Sequence, residues 1–236
     1  AEINKNVNAD IPVLGDAKEV LTKLTPLVNE NSHEAWLQRF KAFEKEEFDQ
    51  VIQEELNPSK DIISMGEVIS QINKLSNGDN VIVTDVGQHQ MVACRYAEFK
   101  QSKSMITSGG LGTMGFCLPA AIGAKMGVPN KQVIAVIGDG GFQMTMQELG
   151  TILESKVPVK ILLLNNEFLG MVRQWQELFF EKRYASTIMV NPDFQMIAKS
   201  YSIKSSLVQD RKDLKQGVQD MLEHDGAYFL EVRVGK

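Results

Sequence analysis

From Ser64 onward, short apolar runs alternate with segments whose apolar positions recur every three or four residues. The runs read as strands: NVIVTD (80–85), SMIT (104–107), VIAVI (133–137), VKILLL (159–164), 204–208 and 228–234. The periodic segments read as helices over 65–75, 89–98, 113–127, 144–154, 170–180, 193–201 and 211–223. Such alternation predicts an α/β fold of three layers, a mostly parallel sheet with helices on both faces.

The first sixty residues have a different pattern. IPVL (11–14) predicts a short strand, and Asp16 caps a helix over 17–24. One strand and one helix cannot bury each other, so this piece is expected to belong to a domain that continues outside the sequence. Residues 32–58 are highly charged, with Trp36, Phe40, Phe43 and Phe48 at roughly helical spacing. They predict an amphipathic linker helix that stops at Asn57 and Pro58. The expected organisation is therefore residues 1–30 as the end of a preceding domain, 31–60 as a helical linker and 61–236 as the α/β domain. The chain opens on Ala1-Glu2-Ile3 without a methionine and is expected to be a fragment.

Composition narrows the function classes. A formal net charge of −5 argues against a nucleic-acid partner or an anionic membrane surface. No apolar run approaches the ~20 residues that span a bilayer, and the N-terminus is not a signal peptide. Cys94 and Cys117 are too few and too far apart for a disulfide scaffold or a zinc knuckle. A reducing cytoplasm is the simplest expectation.

In a parallel sheet, ligands bind beyond the C-terminal ends of the strands. Three of those ends carry polar or glycine-rich sequence: DVGQH (85–89), GDGG (138–141) and Asn165-Asn166. A carboxylate, an amide oxygen and a backbone carbonyl are hard ligands suited to Mg²⁺, which completes its octahedron with phosphate and water oxygens. The glycines after Asp139 let a backbone approach a phosphate, and a following helix N-terminus favours negative charge. Taken singly, GDGG reads as a tight turn and Asn-Asn as a strand exit. On consecutive parallel strands, with twenty-four residues between Gly140 and Asn165, the pair points to one site. GLGTMG (110–115) matches the dinucleotide fingerprint GxGxxG. The ribose-binding acid expected about twenty residues later falls among apolar residues instead, which disfavours a nicotinamide cofactor.

GDG, about two dozen residues and then NN resembles the thiamin diphosphate signature. VGQHQM (86–91), SGGLGTMGF (108–116), LPAAIGAK (118–125), NNEFLGMVRQWQELFF (165–180), RYAST (183–187) and NPDF (191–194) resemble the large catalytic subunits of acetolactate (acetohydroxyacid) synthases. The similarity covers most of the chain, and residues 1–25 resemble the end of that family's central domain. It implies a C-terminal thiamin diphosphate-binding domain. Asp139 and Asn166 would ligate Mg²⁺ together with the backbone carbonyl of Phe168. Gly87, Gln88, His89, Gly140 and Gly141 would hold the diphosphate. Gly112 and Met114 would address the aminopyrimidine, with the Met114 side chain wedged between the cofactor's rings. Gly170, Met171 and Val172 would complete the cofactor site, Met171 and Val172 would also meet substrate, and Trp175 would size the second substrate.

The implied reaction condenses pyruvate with a second 2-oxo acid, giving 2-acetolactate or, from 2-oxobutyrate, 2-aceto-2-hydroxybutyrate, in branched-chain amino-acid (valine, leucine, isoleucine) biosynthesis. The resemblance further implies FAD bound mainly outside this chain, a homodimer or homotetramer, and a small regulatory subunit. The activating glutamate would come from an N-terminal domain, so no catalytic residue is expected here and the chain alone should be inactive. Val92, Cys117 and Phe168-Leu169 depart from the family's usual residues. Two other readings remain: another thiamin diphosphate carboligase or decarboxylase, such as a glyoxylate carboligase, from which Trp175 in RQWQ discriminates; and a non-catalytic assembly module, which would have no need of Asp139 with Asn166.

Overall fold

A computed structural model describes residues 2–59 and 61–235; Ala1, Lys60 and Lys236, which bound the expected divisions, lie outside the described residues. The chain divides into two units, Ala1–Phe48 and Asp49–Lys236. In the first, helix α1 (Ala17–Leu24) starts where the Asp16 carboxylate accepts hydrogen bonds from the amides of Lys18 and Glu19 at 3.0 and 3.2 Å. Helix α2 (Glu34–Glu47) carries Trp36 and Phe40 edge to face, ring centroids 4.5 Å apart. Neither helix buries a residue. Residues 11–14, expected as a strand, form none. All the named strands belong to one sheet in the second unit, and a segment without a partner strand leaves its amides and carbonyls to water.

The helix expected across 32–58 runs from Glu34 to Leu56, with one π-helical turn inside it. Phe48–Ile52 winds as a π-helical turn, and α3 (Gln53–Leu56) ends at Asn57, whose backbone is forced out of the helical region ahead of Pro58. Helix α4 (Met65–Ser76) begins where the Ser64 hydroxyl accepts from the Glu67 amide. The second unit continues through β1 (Asn80–Thr84), α5 (Gln88–Tyr96), β2 (Met105–Thr107), α6 (Cys117–Gly127) and β3 (Gln132–Gly138). Then come α7 (Asp139–Thr145), α8 (Leu149–Ser155), β4 (Lys160–Asn165), α9 (Gly170–Phe179), α10 (Phe194–Ser200), β5 (Lys204–Val208), α11 (Arg211–Glu223) and β6 (Tyr228–Arg233).

The six strands form one all-parallel sheet in the order β2-β1-β3-β4-β6-β5. Side chains alternate between its faces, and each face is covered. Val81, Val83, Val133, Ala135, Ile161 and Leu163 pack under α6, α7, α8 and α10, through Leu118, Phe142, Leu149 and Phe194. Ile82, Ile134, Val136, Leu162 and Leu164 pack under α4, α5 and α11, through Ile69, Ala93 and Val218. Burial on both faces explains why β1 and β4 read as continuous apolar runs. Two helices start elsewhere than the pattern suggests. Helix α6 begins at Cys117 because Gly112 and Gly115, with φ of 64° and 85°, cannot sit in a helix. Helix α7 begins at Asp139, five residues before the helix expected over 144–154, so Asp139, Gly140 and Gly141 lie in its first turn. No helix of the described residues is long and apolar enough to cross a membrane.

A buried cation closes the N-terminal edge of β4. The ammonium of Lys160, 3% exposed, donates to the carbonyl of Gly226 at 2.7 Å and to that of His224, the C-cap of α11. Burial lowers its pKa to about 8; the Lys125 ammonium pushes the same way and Asp225 opposes. An unfolded lysine keeps its proton to about pH 10.4. Between those values the unfolded chain binds more protons than the folded one, so stability rises with pH there. We predict that this rise, measured by urea unfolding between pH 8 and 10, flattens in Lys160→Met. The same slope in both proteins would show that Lys160 titrates normally.

Candidate functional site

The chain leaves β1 toward β2 on one side and returns with β3 on the other. That reversal opens a crevice between the tips of β1 and β3. Beyond β1, Gly87 adopts a φ of 151°, and α5 starts at Gln88. The His89 ring fills the space between the two tips. A Cβ built on Gly138 would lie 2.8 Å from its Nδ1, and one on Gly87 would lie 2.7 Å from its Cε1. Burial lowers the His89 pKa to about 4, so the imidazole is neutral at physiological pH. Its Nε2 has no partner among the described residues.

The β3–β4 register sets Gly138 opposite Leu164, which brings Asp139 beside Asn165. Asp139 is 2% exposed. Its Oδ2 accepts from Asn191 Nδ2 at 2.7 Å and its Oδ1 from the Gly140 amide at 3.1 Å. Burial raises its pKa, and the hydrogen bonds from Asn191 and Gly140 oppose the shift. The two asparagines turn to opposite sides of the strand tip. Asn165 points into a polar interior: its Nδ2 donates to Glu231 Oε1 at 2.8 Å, and its Oδ1 accepts from Asn191 at 3.0 Å. Asn166 borders the cleft. Its Oδ1 accepts from the Phe168 amide at 3.1 Å and its Nδ2 faces Gln88 Oε1 at 3.4 Å, while Gln88 Nε2 donates to Gln174 Oε1 at 3.2 Å. Gly170 lies against this amide pair, where a Cβ would overlap Gln88 Oε1.

The structure brings nearly all the expected residues to one cleft. Gly87, Gln88 and His89 form one wall, and Met114 reaches in from the loop before α6. Asp139, Gly140 and Gly141 form the floor; Asn166, Phe168, Gly170, Met171 and Val172 form the far side. Gly112 and Trp175 are not among the lining residues. Trp175 is 57% exposed on α9, its ring 5.0 Å from that of Phe179. Met65, Leu164 and Leu169 line the cleft unforeseen, since an apolar residue at a strand end or helix start reads as core. Asn191 and Gln143 were also missed. The NPDF tetrapeptide was a signal, but an asparagine before proline reads as a turn residue.

The donors suit a diphosphate with a divalent cation. Asp139, Asn166 and Phe168 line the same cleft, and a carboxylate, an amide oxygen and a backbone carbonyl make a hard oxygen set with few protein charges. No group of three or more His, Cys, Asp or Glu able to hold a metal occurs among the described residues. The unpartnered, buried Nε2 of His89 borders the same cleft.

Beneath the cleft, Asp85 is fully buried. Its Oδ1 accepts from the Cys117 amide at 3.1 Å, and its Oδ2 abuts Gly141. Burial, reinforced by the Asp85 charge, raises the Cys117 thiol well above its ordinary pKa, and its Sγ donates to the Val83 carbonyl at 3.0 Å. Gly141 has no positive φ; it is required by space, because a Cβ there would overlap Asp85 Oδ2. Overpacking of this kind costs about 1–3 kcal/mol. Gly141→Ala is expected to lower thermal stability by that amount, and an unchanged melting temperature would mean that Asp85 can turn aside.

Residues 85–232 match the family described as thiamine pyrophosphate enzyme, C-terminal TPP binding domain. The whole chain is 42% identical over 239 residues to the acetolactate synthase large subunit of Lactococcus lactis and covers 40% of that protein. It is 38% identical over 235 residues to the acetolactate synthase isozyme 2 large subunit of Escherichia coli, with 99% of this chain and 41% of the relative aligned. A probable acetolactate synthase large subunit of Methanococcus aeolicus is 38% identical over 249 residues, with 41% of it covered. The chain thus spans about two fifths of the length of these relatives. A parallel sheet with its polar cleft at the β1/β3 reversal and a matching family profile lead to one assignment: the chain belongs to the thiamine pyrophosphate (thiamin diphosphate) enzymes, and residues 85–232 form their C-terminal TPP binding domain.

Proposed function

We propose that this chain is the cofactor-binding part of an acetolactate synthase large subunit, binding thiamin diphosphate through Mg²⁺. The observation that carries the reading is the meeting of Asp139 and Asn166 on one cleft from the tips of adjacent strands. In this reading Asp139, Asn166 and the Phe168 carbonyl hold the cation. Gly87, Gln88, His89, Gly140 and Gly141 surround the diphosphate. Neutral His89 has an unpaired ring nitrogen to offer it. Met114, whose Cε stands 3.6 Å from the Cβ position of Gly140, is the bulky apolar group within the cleft that shapes the cofactor, and Gly112 belongs to the same loop. When bound, thiamin diphosphate supplies the electron sink that lets a 2-oxo acid lose carbon dioxide and join to a second one.

The protein's part is to bind, orient and exclude water. Met171 and Val172 flank the cleft, and Trp175 follows Met171 by four residues on α9, which places the two on one helix face. That placement supports a role for Trp175 in sizing the second 2-oxo acid, pyruvate or 2-oxobutyrate, at the cleft mouth. Asp139 is the only carboxylate among the lining residues and none is a glutamate, so the activating glutamate is assigned to another domain or subunit and the chain alone is expected to give no turnover. The large-subunit names of the relatives support a small regulatory subunit as partner. FAD, a homodimer or homotetramer, a cytoplasmic location and a place in branched-chain amino-acid biosynthesis belong to the same proposal. The division into 1–30, 31–60 and 61–236 belongs to the same proposal; the break between the two units falls within its linker, between Phe48 and Asp49.

The metal assignment is tested by calorimetry on the full-length protein. Asp139→Ala is expected to abolish Mg²⁺-dependent binding of thiamin diphosphate. Affinity equal to that of the unsubstituted protein, with and without chelator, would overturn the assignment.

A further inference from the structure

The carboxylate of Asp139 does not stand alone, and the group that holds it comes from a segment far along the chain. Asn191 Nδ2 donates to Asp139 Oδ2 at 2.7 Å and to Asn165 Oδ1 at 3.0 Å, so its two hydrogens bind the tips of β3 and β4 together. Its own Oδ1 accepts from Gln143 Nε2, on α7, at 3.0 Å. A carboxamide has one donating and one accepting end: the acceptors Asp139 Oδ2 and Asn165 Oδ1 face the donating end of Asn191, and Gln143 satisfies the accepting end. The segment before Asn191 also grips the loop that carries the Phe168 carbonyl: Leu169 donates to the Thr187 carbonyl at 2.8 Å, and Met189 donates to that of Glu167 at 2.9 Å. The segment after it is anchored. Asp193 caps α10 through the Met196 amide, and Phe194, 1% exposed, packs edge to face on Phe142 at 5.5 Å.

We infer that Asn191 is a positioning residue for the divalent cation. It occupies one oxygen of Asp139, turns the other toward the cation's place, and sets the spacing between the two strand tips that supply ligands. Gln143 holds the accepting end of the Asn191 amide. Neither residue touches the cation. The inference rests on the assignment of Mg²⁺ and thiamin diphosphate to this cleft, and adds to it a source of the ligand geometry outside the GDGG and NN motifs.

The test compares half-saturating Mg²⁺ for thiamin diphosphate binding, by calorimetry on the full-length protein, with the melting temperature of the same proteins in chelator. Asn191→Ala is expected to raise half-saturating Mg²⁺ at least tenfold. Gln143→Met keeps Asn191 and adds no charge but removes the donor that holds its accepting end; it is expected to move Mg²⁺ dependence in the same direction, by less. If Asn191→Ala does not fold, Gln143→Met decides. Variants that lower the melting temperature while leaving half-saturating Mg²⁺ unchanged would overturn the inference, because Asn191 would then be a packing residue only. Absence of Mg²⁺-dependent binding in the unsubstituted protein would instead overturn the assignment of the site itself.

Discussion

The pairing of β3 with β4 is the constraint on which the site depends. With Gly138 opposite Leu164, the residue after each strand falls beside the other, and Asp139, Asn165 and Asn166 become neighbours. A slip of one residue would send every side chain of a strand to the opposite face. Here both faces are apolar and covered, so the register is held by shape: Val136 and Leu164 must meet one helical layer, Ala135 and Leu163 the other. The chemistry of the cleft is thus fixed by hydrophobic packing below it. The buried polar groups at the rim, Asp139, Asn165 and Asn166, are satisfied mainly by neighbouring side chains and amides.

That interdependence explains which parts were legible in the sequence. The centre of the sheet was readable because short runs rich in Val, Ile and Leu, as in β1, β3 and β4, have few alternatives in a chain with helical segments between them. The cleft was readable because glycine and asparagine are unusual residues to follow such runs. What stayed hidden was tertiary. GDGG carries the composition of a turn, yet it opens α7, because Gly141 meets a buried carboxylate and needs room rather than an unusual backbone angle. Residues 11–14 have strand composition but no partner to make them one. Asn191 has no periodicity to announce it; its importance comes from a partner fifty residues away, and no local rule could find it.

Two amide systems meet at the rim. Gln174, Gln88 and Asn166 form a chain with contacts of 3.2 and 3.4 Å. Asn191, Asp139 and Asn165 are drawn together at 2.7 and 3.0 Å and are backed by buried Glu231 and Phe194. Cys117 beneath them keeps its proton, so its thiol serves as a weak donor to strand carbonyls and is a poor nucleophile.

An all-parallel sheet also has a history in time. Each strand pairs with one that lies beyond a full crossover helix, and on its second side β4 pairs with β6, the sixth strand in chain order. Until β6 arrives, KILLLN presents an open, apolar edge of the kind that other chains can join. Non-local pairing of this sort slows folding and prolongs exposure of such edges. The same strand that carries the paired asparagines is therefore the one most in need of shelter while the chain is being made.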